Sequence, residues 1–495
     1  AGGMQSQVGR ELMLRSDHEI LQAVNTQGSQ SNALLNQAML DGINQGLGGS
    51  VSANTVAPRG NDNLQVPEQM QINGKTYAQP KYLASGGFAD IVAYTNVHDA
   101  NDKVVLKQLK NDADKSPLAL RQEASEELLN QIELEGNGGH PNLNRLTGAI
   151  RGADNQLFIV QDMAEGGSLS GVKDNLWSLK QKDILPHDVH QLLGAHLMKG
   201  TLQGMDHIQN ERQAHHFDLK LPNVLLGSDG EAKITDFGLS GLGNTRAINR
   251  LEENQNNMYQ SPEFVKAKGV DVKPQIDAQL ESQGIKTFEV MTREGNGVLS
   301  ADEKTHFRSI RDTEGQAAMD EALAIRDQEY EVYREAYLAS EQTELDAIQV
   351  SSRADNWNAG IMAQELFRSD LFDHEIYGTE KGFLRKGVAI GKNLEAFGEN
   401  EESRLAPASR IGGDQGEMGM GLSAVDKLIN GLAHPDPEQR TNFKEALNNS
   451  LFTDERLDKP EVGQLLLKIS KVDPENLSAQ DKSDIAGLVN ALRAQ

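Results

Sequence analysis

The sequence contains no cysteine. That excludes a disulfide framework, a thiolate zinc site and a cysteine nucleophile; it leaves the fold resting on its core and suits a reducing compartment. Positive charge is in deficit, with 48 Lys+Arg against 73 Asp+Glu and a net charge of −25. Such a chain repels nucleic-acid phosphates and anionic lipid, so neither nucleic acid nor membrane is an expected partner. No apolar run approaches the ~20 residues of a membrane-spanning helix. The opening AGGMQSQVGRELML lacks a basic segment followed by an apolar core, so no secretory signal is expected, and Ala1–Gly3 read as a cloning scar.

What is present is length and a change of texture along it. A chain of 495 residues has room for one domain of about 250 residues and substantial additions. Up to about Glu68 it is rich in Gln, Asn, Ser and Gly and poor in aromatics, so it buries little apolar area against its ordering entropy. This stretch is expected to be disordered apart from a short helix near Glu11–Val24. From Thr76 short β-type runs follow, YLASGGFADIVAY and KVVLKQLK, broken by the turn HDAND. A helix is expected from Leu118 to Glu135, then strands around Leu146–Ile150 and Leu157–Gln161. Past Gly166-Gly167, Val189, Leu193, Leu197, Leu202 and Met205 recur at helical spacing. The pattern predicts a small β-rich lobe ahead of a helical one.

The segment HHFDLKLPNVLLGSDGEAKITDFGLS carries the chemistry. Asp218, Lys220 and Asn223 share a tight loop around Pro222, and Asp236 follows across an expected hairpin. Phosphoryl transfer needs cations bridging the phosphates, oxygen ligands to hold them and a carboxylate to orient the attacking hydroxyl. Asn223 and Asp236 offer hard oxygens suited to Mg²⁺, Asp218 can accept the hydroxyl proton, and Lys220 can neutralise the transferred group.

These residues resemble the eukaryotic-type serine/threonine protein kinase family, through HFDLKLPN and DFG. The resemblance implies an α+β, two-lobed fold using ATP with Mg²⁺ or Mn²⁺ on a protein substrate. It implies catalytic roles for Asp218, Lys220, Lys107 and Glu127, and metal-holding roles for Asn223 and Asp236. LASGGFADI is similar to the family's phosphate-covering turn, keeping Gly86, Gly87 and Phe88 but with Ala84 and Ala89 where glycine is usual. VVLK puts Lys107 where the phosphate-binding lysine sits. Its helix-borne partner is taken as Glu127, because GNGG reads as an insertion ahead of HPN; Glu123, one turn earlier, is the rival, and Gln131 is polar where the family is apolar. IVQDMAEGGSL resembles the hinge, with Gln161 as gatekeeper and Asp162 and Ala164 facing adenine; Ile91, Val105 and Leu225 complete the implied nucleotide contacts. Glu263 in MYQSPEF is implied to pair with Arg440, Asp355 to anchor the catalytic loop, and His216 to pack beneath it.

The implied organisation is a disordered region 1–75, a kinase domain 76–452 interrupted by an acidic helical insertion 265–353, and a helical extension 453–495. The insertion holds 11 Lys/Arg and 18 Asp/Glu. Met319, Leu323, Tyr330, Tyr333 and Tyr337 mark an amphipathic helix in it, either packed on its own lobe or facing a partner. Within it, Thr292–Glu303 resembles an EF-hand loop with Gly297, Leu299 and Glu303 in place. Thr292 replaces the first-position aspartate, so Ca²⁺ binding is expected to be severely weakened, and a metal-free relic is the alternative.

Phe217 stands where the family commonly has the arginine that receives an activation-loop phosphate, so control by a partner protein, docked on the insertion, is expected in place of loop phosphorylation. Lys220 is the serine/threonine form of its motif. The acidic, cysteine-free chain with a polar beginning is also similar to effector kinases that bacteria deliver into host cytoplasm. Two competing readings are a small-molecule phosphotransferase of the aminoglycoside-kinase type, disfavoured by the SPE element, and a pseudokinase scaffold, disfavoured because it has no need of Lys107, Asp218, Asn223 and Asp236 together.

Overall fold

Strand β9, Leu157–Asp162, shows how the sheet is built: Phe158 and Val160 enter one apolar cluster while Leu157 and Ile159 enter another. This alternation marks a strand buried on both faces. The computed structural model describes residues 49–85, 89–110, 117–135, 139–151, 157–243, 245–247, 259, 261–264, 272–289, 291, 299–346, 349–367, 423–434 and 436–494. Seven strands form one antiparallel sheet: β1 (Gly49–Val51), β4 (Gln69–Ile72), β5 (Lys75–Ser85), β6 (Ala89–Asn96), β7 (Lys103–Leu109), β9 and β8 (Leu146–Arg151), in that order. Beside it β2 (Thr55–Val56) pairs with β3 (Val66–Pro67). Helix α1, Pro117–Glu135, covers one face, burying Ala124 and Leu128 against Leu146, Ala149, Leu157 and Ile159.

The expectation of disorder through residue 75 is overturned for residues 49–75. Val66, Met70 and Ile72 belong to the sheet's other core with Tyr77, Tyr94 and Phe158. The physical reason is that β4 alternates polar and apolar over only four residues, exposing Gln69 and Gln71 and burying Met70 and Ile72. So short an element cannot hold alone, but an existing sheet edge supplies its partner. The expected helix near Glu11–Val24 lies outside the described residues.

The helical lobe is centred on α3, His187–Asp206, which follows α2 (Leu169–Gln181) and buries Val189, Leu193, Leu197, Leu202 and Met205. Gly204 lets α3 approach the chain closely, since a Cβ there would lie 2.9 Å from Asn142 O and 2.8 Å from Ile234 Cδ1. The hairpin of β11 (Val224–Leu226) and β12 (Ala232–Ile234) lies beneath the sheet's lower edge, with Asn144 N donating to Ile234 O. A β-rich lobe ahead of a helical lobe, as the sequence pattern predicts, is the architecture of this part of the chain.

The chain divides into two compact units, Ala1–Asn244 with Ser352–Gln495, and Thr245–Ser351. The first also contains the two-residue pair of β10 (Ala214–His215) and β13 (Gly241–Leu242). The second is bounded by the antiparallel pair β14 (Thr245–Ala247) and β15 (Gln349–Ser351) and contains α4 (Lys273–Ser282), α5 (Ala301–Glu314) and α6 (Gln316–Asp346). Tyr330, Tyr333 and Tyr337 of α6 are buried against Val272, Ile276, Leu280 and Phe288, so the aromatic stripe is this unit's own core. The unit begins ahead of the SPE element, earlier than the insertion boundary read from the sequence. Its EF-hand-like residues 292–298 lie outside the described residues. Ser300 and Glu303 instead form the capping box that starts α5, and Glu303 also accepts from Arg326 Nε at 2.9 Å. The carboxylate needed in the twelfth Ca²⁺-ligand position is thereby committed to other partners.

After Ser352 the first unit resumes with α7 (Ala354–Phe367), α8 (Ala424–Leu432), the short α9 (Phe443–Ala446), α10 (Pro460–Lys471) and α11 (Ala479–Arg493). The last two pack onto the lobe. Asn175 Nδ2 donates to Ile469 O and Val472 O, and His196 bridges Leu457 O and Gly230 O. At Gly230, φ +82, a Cβ would lie 2.3 Å from the Cα of Gly463 in α10.

His190 on α3 is 2% exposed, edge-on to Trp177 at 4.9 Å, and its Nε2 has no hydrogen-bond partner among the described residues. Burial pushes its pKa down to about 3. The unfolded chain takes the proton first, so stability present at neutral pH is lost as pH falls from about 6.5 toward 3, by about 1 kcal/mol at pH 5.5. His190→Leu is expected to flatten this acid limb. Thermal melts at pH 7.5 and 5.5 should show a smaller loss for the variant, by about 2 °C; an equal loss would assign the acid sensitivity elsewhere.

Candidate active site

Strand β7 carries Lys107 in the sheet interior, opposite Ile91 on β6 and Ile159 on β9. Its ammonium meets Glu127 Oε1 of α1 at 2.5 Å and Asp236 Oδ1 at 3.0 Å. Burial opposes the charge on Lys107, but the two carboxylates outweigh it and hold its pKa above the ordinary lysine value. Burial likewise pushes Glu127 up, with Lys107 opposing, whereas at Asp236 the attraction of Lys107 overcomes burial and the pKa falls. The structure brings Lys107 and Glu127 together; the side chain of Glu123 lies outside the described residues. Gln131, whose polarity counted against Glu127, is fully buried with its amide hydrogen-bonded.

Between the lobes, the turn Leu221–Asn223 is started by Pro222, whose fixed φ suits a first helical turn. Asn223 Nδ2 donates to Asp218 O at 2.9 Å and to Asp218 Oδ2 at 2.7 Å, and Lys220 Nζ lies 2.8 Å from both carboxylate oxygens of Asp218. The loop is hung from α7. Asp355, fully buried in its first turn, accepts from His216 N at 2.8 Å and Phe217 N at 2.7 Å. Phe217 and Asp236 hold φ of +60 and +67, conformations uncommon for residues with a Cβ. Phe217 is buried edge-on to His215 at 4.7 Å. His216 Nδ1 accepts from Asp218 N at 3.2 Å, so its Nε2 carries the proton and donates to Thr235 O at 3.1 Å. It packs beneath the loop as expected.

The residues assigned to the nucleotide fall on two sheets, the seven-stranded one and the β11–β12 pair. Ala84 on β5 pairs with Ile91, Val105 pairs with Gln161, and Leu225 is on β11. Ala164 O accepts from Gly167 N, and Gly167 turns the chain with φ +70. Gly86, Gly87 and Phe88 lie outside the described residues. Asn223 and Asp236 fit a divalent cation: the amide nitrogen of Asn223 is spent on Asp218, leaving its oxygen, and one carboxylate oxygen of Asp236 remains beside the one on Lys107. No cluster of three or more His, Cys, Asp or Glu able to hold a metal exists among the described residues.

Arg440 donates to His434 O and Arg353 O. Its expected partner Glu263 belongs to the other unit. Sequence reasoning missed the buried partners of Gln161; the signal for them was the polar Gln131 one helical turn beyond Glu127.

The protein kinase domain family matches residues 77–328. Among curated proteins, the serine/threonine-protein kinase CLA4 of Candida albicans is 28% identical over 210 residues, 42% of this chain and 19% of that protein. The serine/threonine-protein kinase fray1 of Dictyostelium discoideum is 28% identical over 116 residues, 23% of this chain and 18% of that protein. From the same organism, the serine/threonine-protein kinase pakC is 23% identical over 202 residues, 41% of this chain and 38% of that protein. The chain thus covers about a fifth of the length of the first of these relatives.

Proposed function

The chain belongs to the protein kinase domain family, and on that premise we propose that it transfers the γ-phosphoryl group of ATP to serine or threonine hydroxyls of a protein substrate. The observation that carries this reading is the closed set of contacts joining Lys107 to Glu127 and Asp236, with Asp218, Lys220 and Asn223 bonded together beside it. A scaffold has no physical need to hold two carboxylates on one buried lysine.

Lys107, kept ionised by Glu127 and Asp236, binds the α- and β-phosphates. Asn223 and Asp236 would hold Mg²⁺ or Mn²⁺, which when bound neutralises phosphate charge. Asp218 orients the substrate hydroxyl and takes its proton as the new P–O bond forms and the bond to ADP breaks. Lys220, seated on Asp218, would neutralise charge on the phosphoryl group offered to that hydroxyl. The test is incubation with labelled ATP, Mg²⁺ and a cell lysate. Labelled serine or threonine is expected, and label on neither refutes the proposal.

Regulation is proposed to come from a partner protein docked on the Thr245–Ser351 unit. Phe217, buried where a phosphate-receiving arginine is usual, supports independence from loop phosphorylation. The aromatic stripe of α6 is spent on its own core, but Ile325 and Val332, seven residues apart, are 54% and 58% exposed and open to a partner. Phosphatase treatment is expected to leave the rate within about threefold; a tenfold loss, ~1.4 kcal/mol of barrier, refutes that independence. Ile325→Asp with Val332→Asp should weaken transfer to the natural target and spare a generic peptide; equal activity on both refutes docking there. The composition further supports action in host cytoplasm after delivery by a bacterium. Retention of a reporter fusion inside the producing bacterium would count against this.

A further inference from the structure

Resting on the phosphotransfer reading, we infer that Gln131 and Gln161 form a buried amide latch that fixes the Glu127-bearing helix against the sheet. They are positioning residues for Lys107. Gln131 lies one turn beyond Glu127 on the same face of α1, and Gln161 lies on β9, adjacent to the strand that carries Lys107. Helix and sheet are therefore joined by two rungs, the ionic one from Lys107 to Glu127 at 2.5 Å and an amide one from Gln161 Nε2 to Gln131 Oε1 at 2.8 Å.

The second rung is enclosed. Gln131 is 0% exposed, Asn144 1%, Glu135 4% and Gln161 5%. Gln131 Nε2 donates to Glu135 Oε1 at 2.8 Å and Asn144 O at 2.9 Å, and Glu135 Oε1 also accepts from Leu146 N at 2.5 Å. Gln161 Oε1 accepts from Asn144 Nδ2 at 3.3 Å and from Thr235 Oγ1 at 3.5 Å. Thr235 immediately precedes Asp236, so the network abuts both carboxylates that hold Lys107. A network of complementary donors and acceptors adds directionality to the close packing at this place, because rotation strands buried polar groups without partners. The latch thus keeps the ionic rung assembled with no activation-loop phosphate.

The test uses the full chain with Gln131→Leu, Gln161→Leu and the double variant. It reads kcat on a generic peptide at saturating ATP and amide exchange in residues 124–135. Each single variant is expected to lower kcat about tenfold, equivalent to ~1.4 kcal/mol, and to speed exchange in α1, and Gln131→Leu, which lies outside the nucleotide contacts, should leave KM for ATP within about threefold. The double variant should also lose about tenfold, because one break already opens the rung. An additive loss of about a hundredfold overturns the latch. So does an unchanged kcat with only a lower melting temperature, the result of a purely structural role. Should a leucine variant fail to fold, Gln131→Asn, one methylene too short for the contact, gives the same readout. Amide exchange does not depend on turnover: a wild-type chain that transfers no phosphoryl group sinks the phosphotransfer reading, while unchanged exchange in the variants sinks the latch.

Discussion

Asp218→Ala is expected to lower phosphoryl transfer by about 10²–10⁴-fold, the range contributed by a positioned proton acceptor. The loss should appear in kcat, measured by single-turnover transfer to peptide, with nucleotide affinity within about threefold of wild type. The reason is spatial. Asp218 is bonded to Lys220 and Asn223, whereas Lys107, Glu127 and Asp236 make a separate cluster that the substitution does not touch. Lys220 also loses both oxygens that hold it and Asn223 one of its two, the main-chain oxygen of residue 218 remaining, so part of the fall reflects the release of Lys220. Transfer within about threefold of wild type would remove Asp218 from the chemistry and reopen the assignment of the whole loop.

Asp355→Ala should be the most damaging substitution outside the site. Its carboxylate accepts from His216 N and Phe217 N, and all three residues are buried. Removing it strands two buried N–H groups at about 1–3 kcal/mol each, against a total stability of about 5–15 kcal/mol for a typical domain. A melting temperature lower by about 5–10 °C is expected. Activity should fall even where the chain is folded, because Phe217 holds φ +60 only while its neighbours fix it. Asp355→Asn keeps one acceptor oxygen and should fall between the two. If Asp355→Ala melts with wild type, the catalytic loop is suspended by something else.

Most of the site was legible because its chemistry is local. Asp218, Lys220 and Asn223 sit within six residues on a loop forced by Pro222, and the hairpin fixes where Asp236 falls. Asp355 was legible from its motif, although 137 positions separate it from Asp218. Residues 49–72 were not, because β4 is four residues long and its Gln-rich exposed side mimics an unstructured segment. The buried amides were not either. A glutamine on a helix reads as solvated until a second glutamine, thirty positions away, is placed opposite it. Glu303 illustrates the converse: its spacing fits a cation loop, but the same Ser-x-x-Glu spacing starts a helix, and that is where the side chain is spent.

The seating of Gly463 against Gly230 has a bearing on how the protein is made. The hairpin that leads to Asp236 leaves the ribosome roughly 230 residues ahead of the helix that covers its turn. At ~5–20 residues per second, translation takes roughly 12–45 seconds to supply that helix. During that interval the Thr245–Ser351 unit emerges complete, with an aromatic core built from its own residues. All residues of the interrupting unit are therefore synthesised before α10, the helix that closes over the hairpin's turn.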